Sequence, residues 1–220
     1  MCLVGISSDD LELSLDALQL GFDYHQAHND MTSEATLHFW SYAASLIPKI
    51  NDPAKFWELS SIIGGVYDNE CSYAISSEIF PPMFQYLMKD DIDLTMQRAV
   101  IYVIDSICVV DPMYLKESGY LQQTFQRYVQ LSLANFQPDE EIDLQDVDTF
   151  KNICQTFSKD INFLETEWKI IQPLIESDPG LCVALLILKY SFKERAEFFV
   201  DYLDDIVNII LNSLSTGSFA

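Results

Sequence analysis

His25 and His28 stand one helical turn apart, with Asp23 and Asp30 on either side. Two imidazoles at that spacing share a helical face, and with a nearby carboxylate they make part of a zinc ligand set. The set stops there. The remaining histidine, His38, lies across a turn, so the pair reads as a solvated helix end, and no metal or cofactor is expected. Nucleophilic chemistry finds no better footing. Cys2, Cys71, Cys108, Cys154 and Cys182 are far apart, and four of them sit in apolar helical stretches, where Cys behaves as a small hydrophobe. No C-x-x-C pair marks a zinc or redox site, and there is neither a G-x-S-x-G elbow nor a glycine-rich phosphate loop. Carboxylates are so abundant that a pair of them carries no information. No catalytic residue is expected.

The carboxylates matter in another way. The chain has 34 Asp and Glu against 12 Lys and Arg, a formal net charge of −22, and no cation precedes Lys49. Such a field repels phosphate backbones and attracts basic segments, so another protein is the expected partner and direct nucleic-acid binding is not. The densest cluster, Pro138 to Asp148, reads as a solvated loop whose Asp146 and Asp148 favour the start of the next helix; its alternative is a landing site for a cationic segment. Reduced thiols point to the cytosol or nucleus. Met1 to Asp10 lacks the basic and apolar parts of a signal peptide. The longest apolar run, Leu181–Leu188, is far short of the ~20 residues that span a bilayer, so no membrane insertion is expected.

The elements that carry these residues are helices. Apolar residues make up 49% of 220 positions, enough for a large core, while seven glycines cannot furnish the turns of an all-β fold. Periodicity and caps predict a first helix over about Asp10–His25, apolar at Leu11, Leu15, Leu18 and Phe22. A second starts at Thr32 and Ser33 and is stopped by Pro48. The third has Asp52 as N-cap and Pro53 at its first position, carries Phe56, Leu59, Ile62 and Ile63, and is loosened or ended by Gly64-Gly65. Ile79–Lys89 reads as a short helix opened by Pro81 and Pro82. A polar turn through Asp90, Asp91 and Asp93 leads into Leu94–Val109, which Asp111-Pro112 closes. Further helices are expected over Tyr120–Phe136, Asp146–Phe157, Phe163–Ile175 and Leu181–Ser191, with one long final helix over Glu194–Leu214. Trp40, Trp57 and Trp168 are expected in core or inter-repeat packing.

Helix starts spaced by roughly 20–25 residues give a helix-pair period near 40–45, that of HEAT and armadillo arrays. Ile79–Val109 resembles one such repeat: Pro82 in the first helix, Leu87 near its end, the Asp90–Asp93 turn, then Met96-Gln97-Arg98-Ala99-Val100 and Ile104. The resemblance implies an all-α, right-handed solenoid of about eight to ten helices over residues 1–220, as one domain or part of a longer array. It also implies that exposed second-helix residues grip a partner: Gln97, Arg98 and Asp105, then Asp148, Asn152 and Gln155. The expected function is a non-catalytic adaptor holding a basic or extended protein segment. The alternative is a regulatory subunit docked on a folded partner through apolar patches.

Overall fold

The computed structural model describes residues 10–28, 33–67, 73–134, 151–155, 160–194 and 196–216. These residues are all-helical, with no β-strand among them. By internal contact the chain divides into two compact units, Met1–Tyr114 and Leu115–Ala220.

The first unit contains α1 (Leu11–His28), α2 (Ser33–Leu46), α3 (Pro53–Tyr67), α4 (Tyr73–Leu87) and α5 (Leu94–Val110). A one-turn 3-10 segment, Ile47–Lys49, follows α2 and carries Pro48 near its start. Aspartates begin three of these helices. Oδ1 of Asp10 accepts from the Glu12 amide at 3.0 Å, that of Asp52 from Lys55 at 2.9 Å, and that of Asp93 from Thr95 at 2.8 Å. Each satisfies an amide that has no partner within its helix. The short α6 (Pro112–Glu117) crosses the boundary between the units.

Helices alternate in their packing. α1 lies on α3, α3 on α5 and α2 on α4, while α4 and α5 form an adjacent pair. Leu15, Leu18 and Phe22 of α1 are buried, and Phe22 meets the rings of Phe39 at 4.5 Å and Trp40 at 5.2 Å. The α3/α5 contact is the most extensive in this unit. It runs through Gly64, where an added Cβ would stand 2.3 Å from Cε1 of Tyr102. Gly64-Gly65, expected to loosen or end the third helix, therefore does not end it. The helix continues to Tyr67, and Gly64 admits the ring of its neighbour.

α4 also departs from expectation. It begins at Tyr73 rather than Ile79 and carries Pro81 and Pro82 in its interior. An interior proline costs about 3 kcal/mol. Against this, Ile75, Ile79, Phe80, Met83, Phe84 and Leu87 are all buried on α4, each side chain contributing roughly 1.5–3 kcal/mol. Packing wins. Ser76 Oγ donates to Asp111 Oδ2 at 2.7 Å, fastening this early part of α4 to the residue that ends α5.

The second unit contains α7 (Leu121–Ala134), α8 (Ile161–Ile171), α9 (Asp178–Glu194) and α10 (Leu203–Thr216), and residues 151–155 are helical too. α9 is central, touching α7, α8 and α10. Two expected helices are broken. Phe163–Ile175 is α only to Ile171 and tightens into a 3-10 segment, Gln172–Glu176, with Pro173 near its start. The single long helix over Glu194–Leu214 is instead a 3-10 segment, Ala196–Tyr202, followed by α10. Phe199 and Tyr202 lie three apart, and side chains at that interval eclipse in a 3-10 turn. Both face Trp168, with centroids at 6.4 and 4.6 Å, which a straight α-helix would not align as well.

Glycines separate close approach from open surface. At Gly180 in α9 a Cβ would fall 2.1 Å from the carbonyl oxygen of Leu174, a backbone atom with little freedom to move, whereas at Gly65 nothing lies within 4 Å. Urea unfolding should show Gly180→Ala destabilised by about 1–3 kcal/mol or more. Gly65→Ala should be stabilised by up to about 1 kcal/mol through helix propensity. Equal effects at the two positions would contradict this account of the packing.

Candidate functional site

Three of the expected contact residues lie on α5, where Arg98 is exposed and Gln97 and Asp105 are half-buried. Arg98 and Asp105 are seven apart and so share a face, while Gln97 sits about 100° round the helix from Arg98. Asn152 and Gln155, three apart in the helical stretch 151–155, are half-buried. Asp148 and the acidic run around it lie outside the described residues. So do Asp30 and the side chains of His25 and His28, while His38 is exposed on α2. Among the described residues no group of three or more His, Cys, Asp or Glu side chains is placed to hold a metal ion.

The acidic surface of the first unit includes a regular row on α1. Glu12, Asp16 and Asp23 are exposed at i, i+4 and i+11, a single row along the helix. Gln19 joins the row and donates from Nε2 to Asp23 Oδ1 at 2.8 Å. Lys55 of α3 reaches Glu12 at 3.0 Å, tying the two stacked helices at one end of the row. Trp57, also expected in packing, is 38% exposed beside Tyr102, with centroids 6.2 Å apart, whereas Trp40 and Trp168 are buried.

In the second unit the α8 N-terminus is fixed by Asp160. Its Oδ1 accepts from the Asn162 amide at 3.0 Å, and its Oδ2 meets Lys116 Nζ at 2.6 Å. The hydrogen bond from Lys116, above all, holds the Asp160 carboxyl below its usual range. Beside this pair is a shallow recess of about 210 Å³ lined by Lys116, Gly119, Leu121, Gln122, Phe163 and Thr166. Asp160 and Asn162 complete its lining.

Glu167 of α8 is fully buried and is the most perturbed carboxyl among the described residues. Ser191 of α9 donates its hydroxyl to Oε1, and the Cys154 thiol lies 4.0 Å from the same atom. Oε2 is buried and meets no hydrogen-bond partner among the described residues. Burial pushes the Glu167 carboxyl up to about 8, only partly opposed by the Ser191 hydrogen bond. Burial likewise raises the Cys154 thiol well above its usual range. A carboxyl that is protonated near neutral pH cannot take the proton of Ser191, and all three side chains are sealed from solvent. The trio thus forms part of the core of the second unit. One signal for it was present in the sequence: Glu167 lies on the same face as Phe163, Leu164 and Ile171, at helical intervals within an apolar stripe.

No family model, curated protein or solved structure matches the chain.

The neutral carboxyl links stability to pH. The folded chain keeps a proton that an unfolded chain, with Glu167 near its usual 4.5, has already released. Stability therefore falls as pH rises between those two values, at up to about 1.4 kcal/mol per pH unit from this one group. In Glu167→Gln this component should vanish, so the gap between variant and parent in urea midpoint should shift in the variant's favour from pH 5 to pH 8. A gap that stays constant over that range would show that Glu167 does not carry the buried proton.

Proposed function

We propose that the chain is a non-catalytic helical-repeat scaffold, a right-handed α-solenoid of the HEAT/armadillo type, that binds a basic or extended segment of another protein through its acidic surface. The observation that carries this reading is a net charge of −22 on an all-helical framework. The alternation of packing in the first unit supports the repeat architecture, because rows of first and second helices in a solenoid stack α1 on α3 on α5 and α2 on α4. Such units bury their apolar faces against neighbours and leave side-chain rows along the helices for partners.

Charge would accelerate encounter, and a few apolar anchors would supply most of the affinity. On α5 the proposed contacts are Gln97, Arg98 and Asp105; from the second unit come Asn152 and Gln155, with Asp148 beside them in sequence. Asp105, Asn152 and Gln155 would accept from or pair with cationic and backbone groups of the segment. Arg98 would meet its carbonyls. The acidic row Glu12, Asp16 and Asp23 adds a further run of carboxylates at helical spacing. Among the described residues no helix is long and apolar enough to cross a membrane. The same field that draws a basic segment works against a phosphate backbone, so a nucleic acid is not the proposed ligand.

Titration of a Lys/Arg-rich peptide against the full chain should give an affinity that falls at least about tenfold between roughly 0.05 and 0.5 M salt, because screening shortens the range of the field. Asp105→Lys should weaken the low-salt complex without changing the helical circular dichroism. Affinity that ignores salt would end the electrostatic reading.

A further inference from the structure

The last helix carries more apolar surface than its own unit covers. α10 buries Ile206 and Ile209, yet Leu203, Val207, Ile210 and Leu211 are exposed by 40, 47, 42 and 57%. At about 100° per residue the buried pair and the exposed four together span an apolar arc of about 200°, twice the ~100° that seats a surface helix on one neighbour. The exposed half has the i, i+4, i+7, i+8 spacing of a helix-packing face. A helix of 14 residues, about 21 Å long, thus offers a continuous ridge rather than scattered apolar residues.

One edge of that ridge is acidic at Asp204, with the exposed Asn208 and then Asp205 farther round, while its other edge meets the buried Ile206 and Ile209. Asp204 lies about 20° beyond Leu211 on the helical circle, with Asp205 farther round. Both are exposed, as is Asp201 in the 3-10 segment that leads into the helix. Neither that segment nor α10 contains a single Lys or Arg. An occupant must therefore bring an apolar stripe for Leu203, Val207 and Leu211 and a cation for Asp204 at the edge of the ridge. A second copy of this chain meets the first requirement and fails the second, since it brings another net charge of −22 to the contact.

We infer that the exposed face of α10 is a docking ridge for an amphipathic helix of a partner protein whose apolar stripe is flanked by Lys or Arg. The inference rests on the scaffold reading above and gives it a specific ligand class in the second unit: a helix, recognised by its stripe as well as its charge.

The experiment titrates the full chain with a peptide of about 18 residues, or five helical turns, that carries Leu at i, i+4, i+7 and i+8 spacing with Lys on both flanks. Two further peptides, one of the same composition with the stripe scrambled and one with every Lys replaced by Glu, are run beside it. The striped Lys peptide should bind at least about tenfold more tightly than either. The Val207→Asp, Leu211→Asp double variant should lose at least about tenfold in affinity for it. Asp204→Lys, Asp205→Lys should weaken the Lys peptide and strengthen the Glu peptide while leaving the apolar face intact, and it decides the matter if circular dichroism shows the double variant misfolded. Equal binding of striped and scrambled peptides overturns the inference, as does a folded double variant that binds as the parent does. Self-association of the parent that the double variant abolishes, seen by sedimentation, assigns the ridge to a second copy and overturns it too. An extended, proline-containing Lys peptide separates the two readings. If its salt-dependent binding persists while the α10 variants change nothing, only the ridge fails; if neither peptide binds, the scaffold reading fails with it.

Discussion

Apolar contact between helices is the interaction on which everything else here depends, because the charge composition leaves few alternatives. With 34 acidic side chains and 12 basic ones, most carboxylates can find no cation. The ion pair Lys55–Glu12 lies at the surface, where water and salt screen it and leave it little net contribution. A single fully buried aromatic such as Phe56, Phe80, Phe125 or Phe199 contributes roughly 1.5–3 kcal/mol. The fold is therefore held by rings and aliphatic side chains while the surface repels itself. That division explains why capping aspartates recur at helix starts: Asp10, Asp52, Asp93 and Asp160 place negative charge where amides and the helix dipole receive it.

The demand for close apolar contact also accounts for the irregular backbone. Gly64 lets the Tyr102 ring press onto α3, and two interior prolines persist in α4 because the side chains on either side of them are buried. The 3-10 segment Ala196–Tyr202 turns Phe199 and Tyr202 to the same side, against Trp168. At α3 and α4 residues that break helices yield to packing, and at Ala196–Tyr202 regular α-helix yields to the geometry of a ring. Packing outweighs propensity.

Glu167 shows the same balance inside the second unit. A charged carboxylate there would lack water and a cation, so burial favours the neutral acid, with Ser191 and Cys154 close to one of its oxygens. A chain so rich in carboxylates thus keeps one of them uncharged in its core. α10 is the opposite case: apolar side chains stay at the surface, bordered on one edge by Asp204, and an interaction face is the physical reading of that excess.

The helical class and most helix positions were legible in the sequence. Asp52-Pro53 starts α3, Asp93 starts α5, and the apolar positions Met96, Val100, Val103, Ile104 and Ile107 are buried as their spacing requires. Caps and periodicity are local, governed by bonds and faces within a few residues, so sequence by itself determines them. What only the tertiary structure decided depends on atoms distant in the chain. Whether Gly64 ends a helix or seats a ring depends on Tyr102, and whether Pro81 and Pro82 begin a helix or interrupt one depends on what their neighbours bury. The exposure of Trp57 and the break before Leu203 follow from packing partners in the same way. Glu167 could be placed on an apolar face from its spacing, but its raised carboxyl follows from burial among side chains distant in the chain. Local chemistry chose the helices, and long-range contact chose where they bend, how closely they approach and which of their faces remain open.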